Sequence, residues 1–441
     1  MRLTGSGPRT LNAGGTAGRS AAERAAGRAP RLCLLIHSYA PETTPPQRRW
    51  DAFVRAFVEA GWNVDVIAPT VPGREDGRTG TGAHGERIVR TPAPRSGAGG
   101  RNSRFLASAV HAVLCLPAAL TVPRPDVVVA TLPALPMVVP ARVLRLLWRR
   151  PLVLEMRDAW PDLAREAEVG AGPLGAVMDR LVTGAQRSAE TVVTVTAGFG
   201  KRLAARGVDV PVHVPNGIAV TAAAPVTRRQ REAGDGLHVL YLGNHGESQG
   251  LEVLVEAAAL LRDQAQPSDP PVTVRLVGDG TRREALVALN RRLGEPAQLL
   301  PAVTGAQVRG QYAWADTCLV ILRDDWPSFD WTVPSKTYEL LAMDQHITPV
   351  VRGEAAEVVQ QATGAQPIPA RAQALADHLR ALAADPESTR TCGRGRKWVN
   401  RHADLHVLGT RMVETVSAAV ERGRRPRRRL SLIHISDGAR E

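Results

Sequence analysis

At 441 residues and 44% hydrophobic, the chain is too long for one ordinary core and apolar enough for two domains of roughly 150 to 200 residues. Its net charge of +13 gathers at the ends, in Arg2, Arg9, Arg19, Arg24 and Arg28 and again in Arg422, Arg424, Arg425 and Arg427 to Arg429, instead of along one reading element, which argues against nucleic acid as the partner. Four scattered cysteines, Cys33, Cys115, Cys318 and Cys392, contain no CxxC pair, so neither a zinc ribbon nor a disulfide framework is suggested and reducing cytosol is the expected compartment.

Residues 1–30 read as a disordered basic tail, without the continuous apolar region of a signal peptide. Then short apolar runs alternate with helical stretches: LCLLIHS (32–38), NVDVIAP (63–69), DVVVATL (126–132), LVLEM (152–156) and VVTVT (192–196). A second series follows: HVLYLGN (238–244), TVRLVGDG (273–280), TCLVIL (317–322) and ITPVV (347–351). Strands apolar on both faces and separated by helices predict parallel sheets covered on both sides, hence α/β architecture with two doubly wound, Rossmann-like domains. The polar, Ala-rich stretch 219–236 reads as the linker, giving a first domain over 31–222 and a second over 223–400. A helical pattern over 401–421 is expected to cross back to the first domain, before a second basic tail over 422–441. Residues 430–441, beginning LSLIHIS, resemble the translated end of a library adapter and are excluded from the expected fold. Low complexity is confined to the tails and to the GRTGTGAHGE and RSGAGG loops.

One segment bears on membranes. FLASAVHAVLCLPAALTV (105–122), flanked by Arg101, Arg104 and Arg124, is short for a span and carries His111 and Pro117. It is either a core helix or one whose apolar side dips into a bilayer surface, which would place the protein in the cytoplasm at the inner face of the plasma membrane.

In a doubly wound sheet, ligand lies beyond the carboxyl ends of the strands. After the first run comes HSYAPETTPPQRRW, with His37 and Arg48 and no GxGxxG, which counts against a dinucleotide oxidoreductase. After LVLEM come Arg157 and Asp158, a cation and a carboxylate that are equally a plain salt bridge. The second series opens on YLGNHGESQG, where Gly243 and Gly246 bracket Asn244 and His245, with Gln249 beyond; VGDG supplies Asp279. Such glycines let a backbone approach a phosphate, or simply make tight turns. Last comes TVPSKTYELLAMDQHITPVV, where Ser335, Lys336 and Glu339 are read in the first turn of a helix. A helix start can hold a diphosphate and a carboxylate can accept both hydroxyls of a ribose, but Ser335 as an ordinary N-cap explains the same residues.

Taken in order, APE…QRRWDAFVRAFVEAGWNVDVIAPT, PDVVVATLPALPMVVPA, VLEMRDAWPD, VTVTAGFGKRLAARG, VPNGI, YLGNHGESQGLEVLVEAA, VRLVGDG, YAWADTCLVIL and VPSKTYELLAM resemble retaining glycosyltransferase family 4, over about residues 31–400. The resemblance is to the branch that builds exopolysaccharide, O-antigen and colanic-acid-type polymers, and it implies the GT-B fold, two Rossmann-like domains facing across a cleft.

What the resemblance implies can be stated position by position. Glu339 matches the second glutamate of the family's paired motif and would hold the donor ribose, whereas the first would fall on Trp331. An Arg and a Lys common in relatives are matched by Asn244 and Gln249, so Lys336 and Arg323 become the candidates for neutralising the diphosphate. Asp158, beside Arg157, is the candidate to orient or deprotonate the acceptor hydroxyl, with His37 as competitor and Arg48 reaching acceptor or phosphates. The co-substrate would be a nucleotide-diphosphate sugar, with no cofactor or metal; Asp324 and Asp325 are read as a loop feature. The expected activity is transfer of a sugar, with retention, to a lipid-linked saccharide. Rival readings are a nucleotide-sugar epimerase on the same fold and a catalytically silent sugar-binding or scaffold subunit.

Overall fold

The computed structural model describes residues 27–424 except 43, 72–76, 93–100, 133–134, 159–161, 163–172, 210 and 233. The two basic tails expected over 1–30 and 422–441 therefore lie almost wholly outside the described residues, as do the adapter-like end and the RSGAGG loop.

The first half builds an eight-stranded sheet. In chain order its elements are β1 (Arg31–Leu35), α1 (Pro45–Glu59), β2 (Asn63–Pro69), β3 (Thr79–Thr81), β4 (Arg87–Thr91), α2 (Arg101–Ala119), β5 (Val127–Leu132), α3 (Val138–Trp148), β6 (Leu152–Met156), α4 (Pro173–Ser188), β7 (Thr191–Thr194), α5 (Ala197–Ala205) and β8 (Val212–His213). The strand order is β3-β4-β2-β1-β5-β6-β7-β8, parallel except where β3 turns back on β4. The low-complexity stretch GRTGTGAHGE, read as a loop, holds the short strand β3 and its turn: Gly85 sits at φ 90°, a conformation glycine adopts without strain, and Gly82 N–H closes the turn onto Glu86 O at 2.8 Å. Every residue of β5 and β6 is buried, as helices on both faces require.

The second sheet is all parallel, in the order β11-β10-β9-β12-β13. Its elements are β9 (Leu237–Asn244), α6 (Glu252–Asp263), β10 (Val272–Asp279), α7 (Arg283–Arg292), β11 (Ala297–Leu300), α8 (Ala306–Trp314), β12 (Thr317–Ile321), α9 (Ser335–Ala342), β13 (Ile347–Val350), α10 (Gly353–Thr363), α11 (Ala372–Ala384) and α12 (Arg394–His402). The expected α/β class with two doubly wound sheets is what the chain forms.

The last helix, α13 (Leu405–Arg424), lies on α1 of the first half. Leu408, Met412, Val416, Ala419 and Val420 join one core cluster with Leu34, Phe53 and Phe57, and Gly409 lets the helices cross closely, since a Cβ there would stand 2.9 Å from that of Ala56. The chain passes between the halves twice at one place. Residue Ile218 donates to Ala403 O at 3.0 Å and accepts from Leu405 N–H at 3.1 Å, and a Cβ on Gly217 would meet Ala403 O at 2.3 Å.

Candidate active site between the two sheets

A cavity of about 590 Å³ opens where the carboxyl ends of both sheets face each other. From the first half it is lined by His37, Arg157, Asp158, Thr196 and Phe199; from the second by Gly243, Asn244, Gln249, Trp331, Ser335 and Lys336; Asn216 of the crossing segment lies between.

Arg157 and Asp158 are held there from beneath. The strand residue Glu155 is fully buried, and accepts from Arg49 Nε at 2.8 Å and from Trp50 Nε1 at 2.7 Å. Arg49 spends its other nitrogens on the carbonyls of Val214, at 2.8 Å, and Pro215. Burial alone would push the Glu155 carboxyl up, but the Arg49 and Arg157 guanidiniums hold it below its ordinary value. One buried ion pair thus ties α1, β6 and the crossing segment together. Sequence reasoning missed it, although Arg49, Phe53 and Phe57 fall at i, i+4 and i+8 on the buried stripe of α1.

Asp158 opens onto the cavity, yet the walls withdraw it from bulk water; that desolvation pushes its carboxyl up, and Arg157 pulls it back. His37, two residues beyond β1, is lowered to about 4 by burial, then by Arg157 and His111, so its ring is neutral near pH 7. His37 Nδ1, Arg157 Nε and Trp331 Nε1 are all buried without a hydrogen-bond partner among the described residues. Three such orphans on the walls of one cavity mark a place where a polar ligand would complete the hydrogen bonding.

On the opposite wall, α9 begins at Ser335 with Pro334 as its cap, and no side chain caps it. This corrects two readings: Ser335 is the first helical residue instead of the N-cap, and Glu339 falls in the second turn. Thr337 N–H is taken by Pro334 O at 3.0 Å, while the amides of Ser335 and Lys336, both on the cavity wall, have no hydrogen-bond partner among the described residues. Such free amides at a helix start favour an anion. Glu339 stands behind them, outside the cavity lining, and accepts from Lys336 Nζ at 3.0 Å and from Tyr312 Oη at 3.1 Å.

Besides Glu339, four of the candidate residues do not line the cavity. Arg323 is paired in a fork with Asp325 and lies 4.8 Å over the Trp326 ring, so the expected diphosphate cation is already committed. Asp279 accepts from Gly280 N–H at 2.8 Å within its own turn. The glycines of VGDG serve packing: a Cβ on Gly278 would meet Gly243 O at 1.9 Å, and one on Gly280 would meet His245 O at 2.5 Å. Gly246 N–H is braced by Gln249 Oε1 at 3.1 Å, and Arg48 points to solvent from α1.

Trp331, at the end of a short 3-10 turn (Pro327–Trp331), joins the two halves. Its carbonyl accepts from Thr196 Oγ1 at 2.7 Å and its ring lies 4.8 Å from the Arg202 guanidinium. Beside it Glu354 accepts from the N–H groups of Ala197 and Gly198, each at 2.7 Å, at the amino end of α5.

Comparison with known proteins bears on the fold. Residues 44–217 match the family model described as a glycosyl transferase 4-like domain. No curated protein matches the chain in sequence. Among solved structures, a sucrose-phosphate synthase from Thermosynechococcus elongatus superposes with a TM-score of 0.70 at 16% identity, covering 89% of this chain and 100% of that one. HepE from Anabaena, in complex with UDP and glucose, gives 0.62 at 16%, covering 88% and 99%. The α,α-trehalose 6-phosphate synthase of Burkholderia multivorans gives 0.63 at 16%, covering 91% and 100%. The chain therefore has the GT-B fold, and most of its first half is similar to a glycosyl transferase 4-like domain.

Proposed function

We propose that the protein is a glycosyltransferase that takes a sugar from a nucleotide-diphosphate donor and passes it, with retention, to a lipid-linked saccharide in cell-surface polysaccharide synthesis. The observation that carries this reading is the placement of Arg157 and Asp158 of the first sheet and the free helix start at Ser335 and Lys336 of the second around one cavity. The amides of Ser335 and Lys336, with the Lys336 ammonium, would receive the diphosphate, and Arg157 would add a second cation as the halves close. Asp158 would orient the acceptor hydroxyl. In such a site positioning and stabilisation of the departing diphosphate supply most of the rate. HepE has been crystallised with UDP and with UDP-glucose, which supports a nucleotide sugar as donor here.

The lipid-linked acceptor is supported by one surface. Of eight large apolar side chains exposed among the described residues, seven lie on or just beyond α2, α3 and α4: Val113, Leu120, Val139, Val143, Leu146, Leu147 and Val177. Arg149, at the C-cap of α3, and Arg180, on α4, are exposed three residues beyond Leu146 and Val177. No helix among the described residues is long and apolar enough to cross a membrane. An apolar face edged by arginines suits the surface of an anionic bilayer, and the helix of the 105–122 segment then serves both expected roles, with Ala112 and Cys115 in the core and Val113 outside.

The test is a panel of UDP-, GDP- and TDP-sugars, scored first for thermal stabilisation and then for product. Stabilisation by one donor followed by a new glycosidic bond supports the proposal. Free epimer would identify an epimerase, and binding with no turnover under any acceptor a silent subunit.

A further inference from the structure

A second cavity, of about 400 Å³, lies on the other side of the junction between the halves. The same three stretches of chain line both cavities. Thr196, Phe199, Asn216 and Trp331 face the cleft, while Ala197, Gly198, Pro215 and Asp330 face this rear groove.

We propose that the rear groove is a second ligand site, for a small anionic polyol of the size of a sugar phosphate, bound across both halves. Its charges decide the sign. The carboxylate of Asp330 is already paired with Arg352 at 2.9 Å, and that of Glu354 is taken up by two backbone amides. Lys201 and Arg411, in contrast, line the groove without an ion-pair partner among the described residues. Glu357 is left as the one uncommitted carboxylate, suited to accepting hydroxyls.

A buried group points the same way. Tyr338 is 1% exposed, yet it lines the groove and its hydroxyl has no hydrogen-bond partner among the described residues. Burial and the nearby Glu354 hold that phenol protonated, as a donor. Trp398 and His402, with ring centroids 5.0 Å apart, add the apolar platform on which a sugar ring can lie. The volume falls within the range of small-molecule sites.

Position makes the ligand an effector. Helix α9 turns Ser335 and Lys336 toward the cleft and Tyr338 toward the groove, and α5 turns Phe199 one way and Lys201 the other. A molecule bridging Lys201 and Arg411 of the first half to Tyr338 of the second would bias the angle between the halves, and hence the cleft.

The test is isothermal titration of the full chain with glucose 6-phosphate, inorganic phosphate and uncharged glucose, a readout independent of transfer. Glucose 6-phosphate should bind at one site, with glucose at least about tenfold weaker; Arg411→Ala and Lys201→Ala, each melting like wild type, should weaken it about tenfold, and Lys336→Ala should leave it unchanged. Inorganic phosphate binding with the same dependence on Arg411 supports the anionic part of the site. No binding at millimolar glucose 6-phosphate would overturn the proposal. So would binding that survives Arg411→Ala and is lost in Lys336→Ala, which would put the ligand in the cleft. Neither result bears on whether the cleft transfers sugar.

Discussion

Glu354 and Gly198 meet across the junction of the two halves, a carboxylate oxygen of one 2.7 Å from the backbone nitrogen of the other. A Cβ on Gly198 would stand 2.8 Å from that of Trp331, so the contact depends on a residue with no side chain. Gly198→Ala should wedge the junction open, and Glu354→Ala should remove two charge-assisted hydrogen bonds of about 1.5–3 kcal/mol each. Both variants should scatter X-rays as more extended molecules and transfer sugar at least about tenfold more slowly, with donor affinity changed less than about threefold. Unchanged scattering with unchanged turnover would show that the junction is not held by this contact.

Lys336 and Arg323, both candidates from sequence, are separated by position, since each has a carboxylate partner but only Lys336 lines the cavity. Lys336→Ala should weaken nucleotide-diphosphate binding about tenfold, whereas Arg323→Ala should leave it within about twofold, because Arg323 does not line the cavity and is held by Asp325. Calorimetric titration of the two variants checks this; equal losses would put Arg323 back in the site.

Asp158 carries the pH prediction. Its carboxyl is raised by desolvation and must be ionised to accept a proton, so kcat/KM should fall on acidification with a limb above the ordinary Asp value of 3.8. Arg157 opposes the shift, and Arg157→Gln should therefore move the limb to still higher pH. A limb that stays in place in Asp158→Asn belongs to another group.

Glu155 is a matter of stability first. Glu155→Gln leaves the Arg49 guanidinium buried without its counter-charge and should cost about 3–5 kcal/mol in urea unfolding. A loss below about 1 kcal/mol would mean that the Val214 and Pro215 carbonyls suffice for Arg49.

The apolar face of α3 can be tested apart from chemistry. The double variant Leu146→Glu, Leu147→Glu should float with neither anionic nor neutral vesicles, whereas wild type should float with the anionic ones only. Its melting temperature should stay within about 2 °C of wild type, since both side chains are already in water. Equal flotation of both proteins would remove this face from the membrane.

Much of this architecture was legible in the sequence because fully buried parallel strands leave uninterrupted apolar runs, and each expected run overlaps one of the observed strands. The buried stripe of the last helix was legible too, since Leu408, Met412 and Val416 repeat at helical spacing. What could not be read was the direction of long side chains. Arg323 has a carboxylate two residues away and folds onto it; Lys336 and Glu339 are three apart on a helix and meet each other before any ligand. The adjacent arginines of QRRW divide completely, Arg48 outward and Arg49 into a buried ion pair, because helical twist sends neighbours to different faces.

The strap formed by α13 has a consequence for how the chain comes into being. Its apolar side completes the core around Phe53 and Phe57, and its end is fastened by Arg422 to Thr191 and by Arg424 near Asp126. Those residues are made after the whole second half, although the strands they cover are made before it. During synthesis the first half must wait, one flank uncovered, while the whole second half is made. The half made earlier is thus completed only by a helix made after the other half.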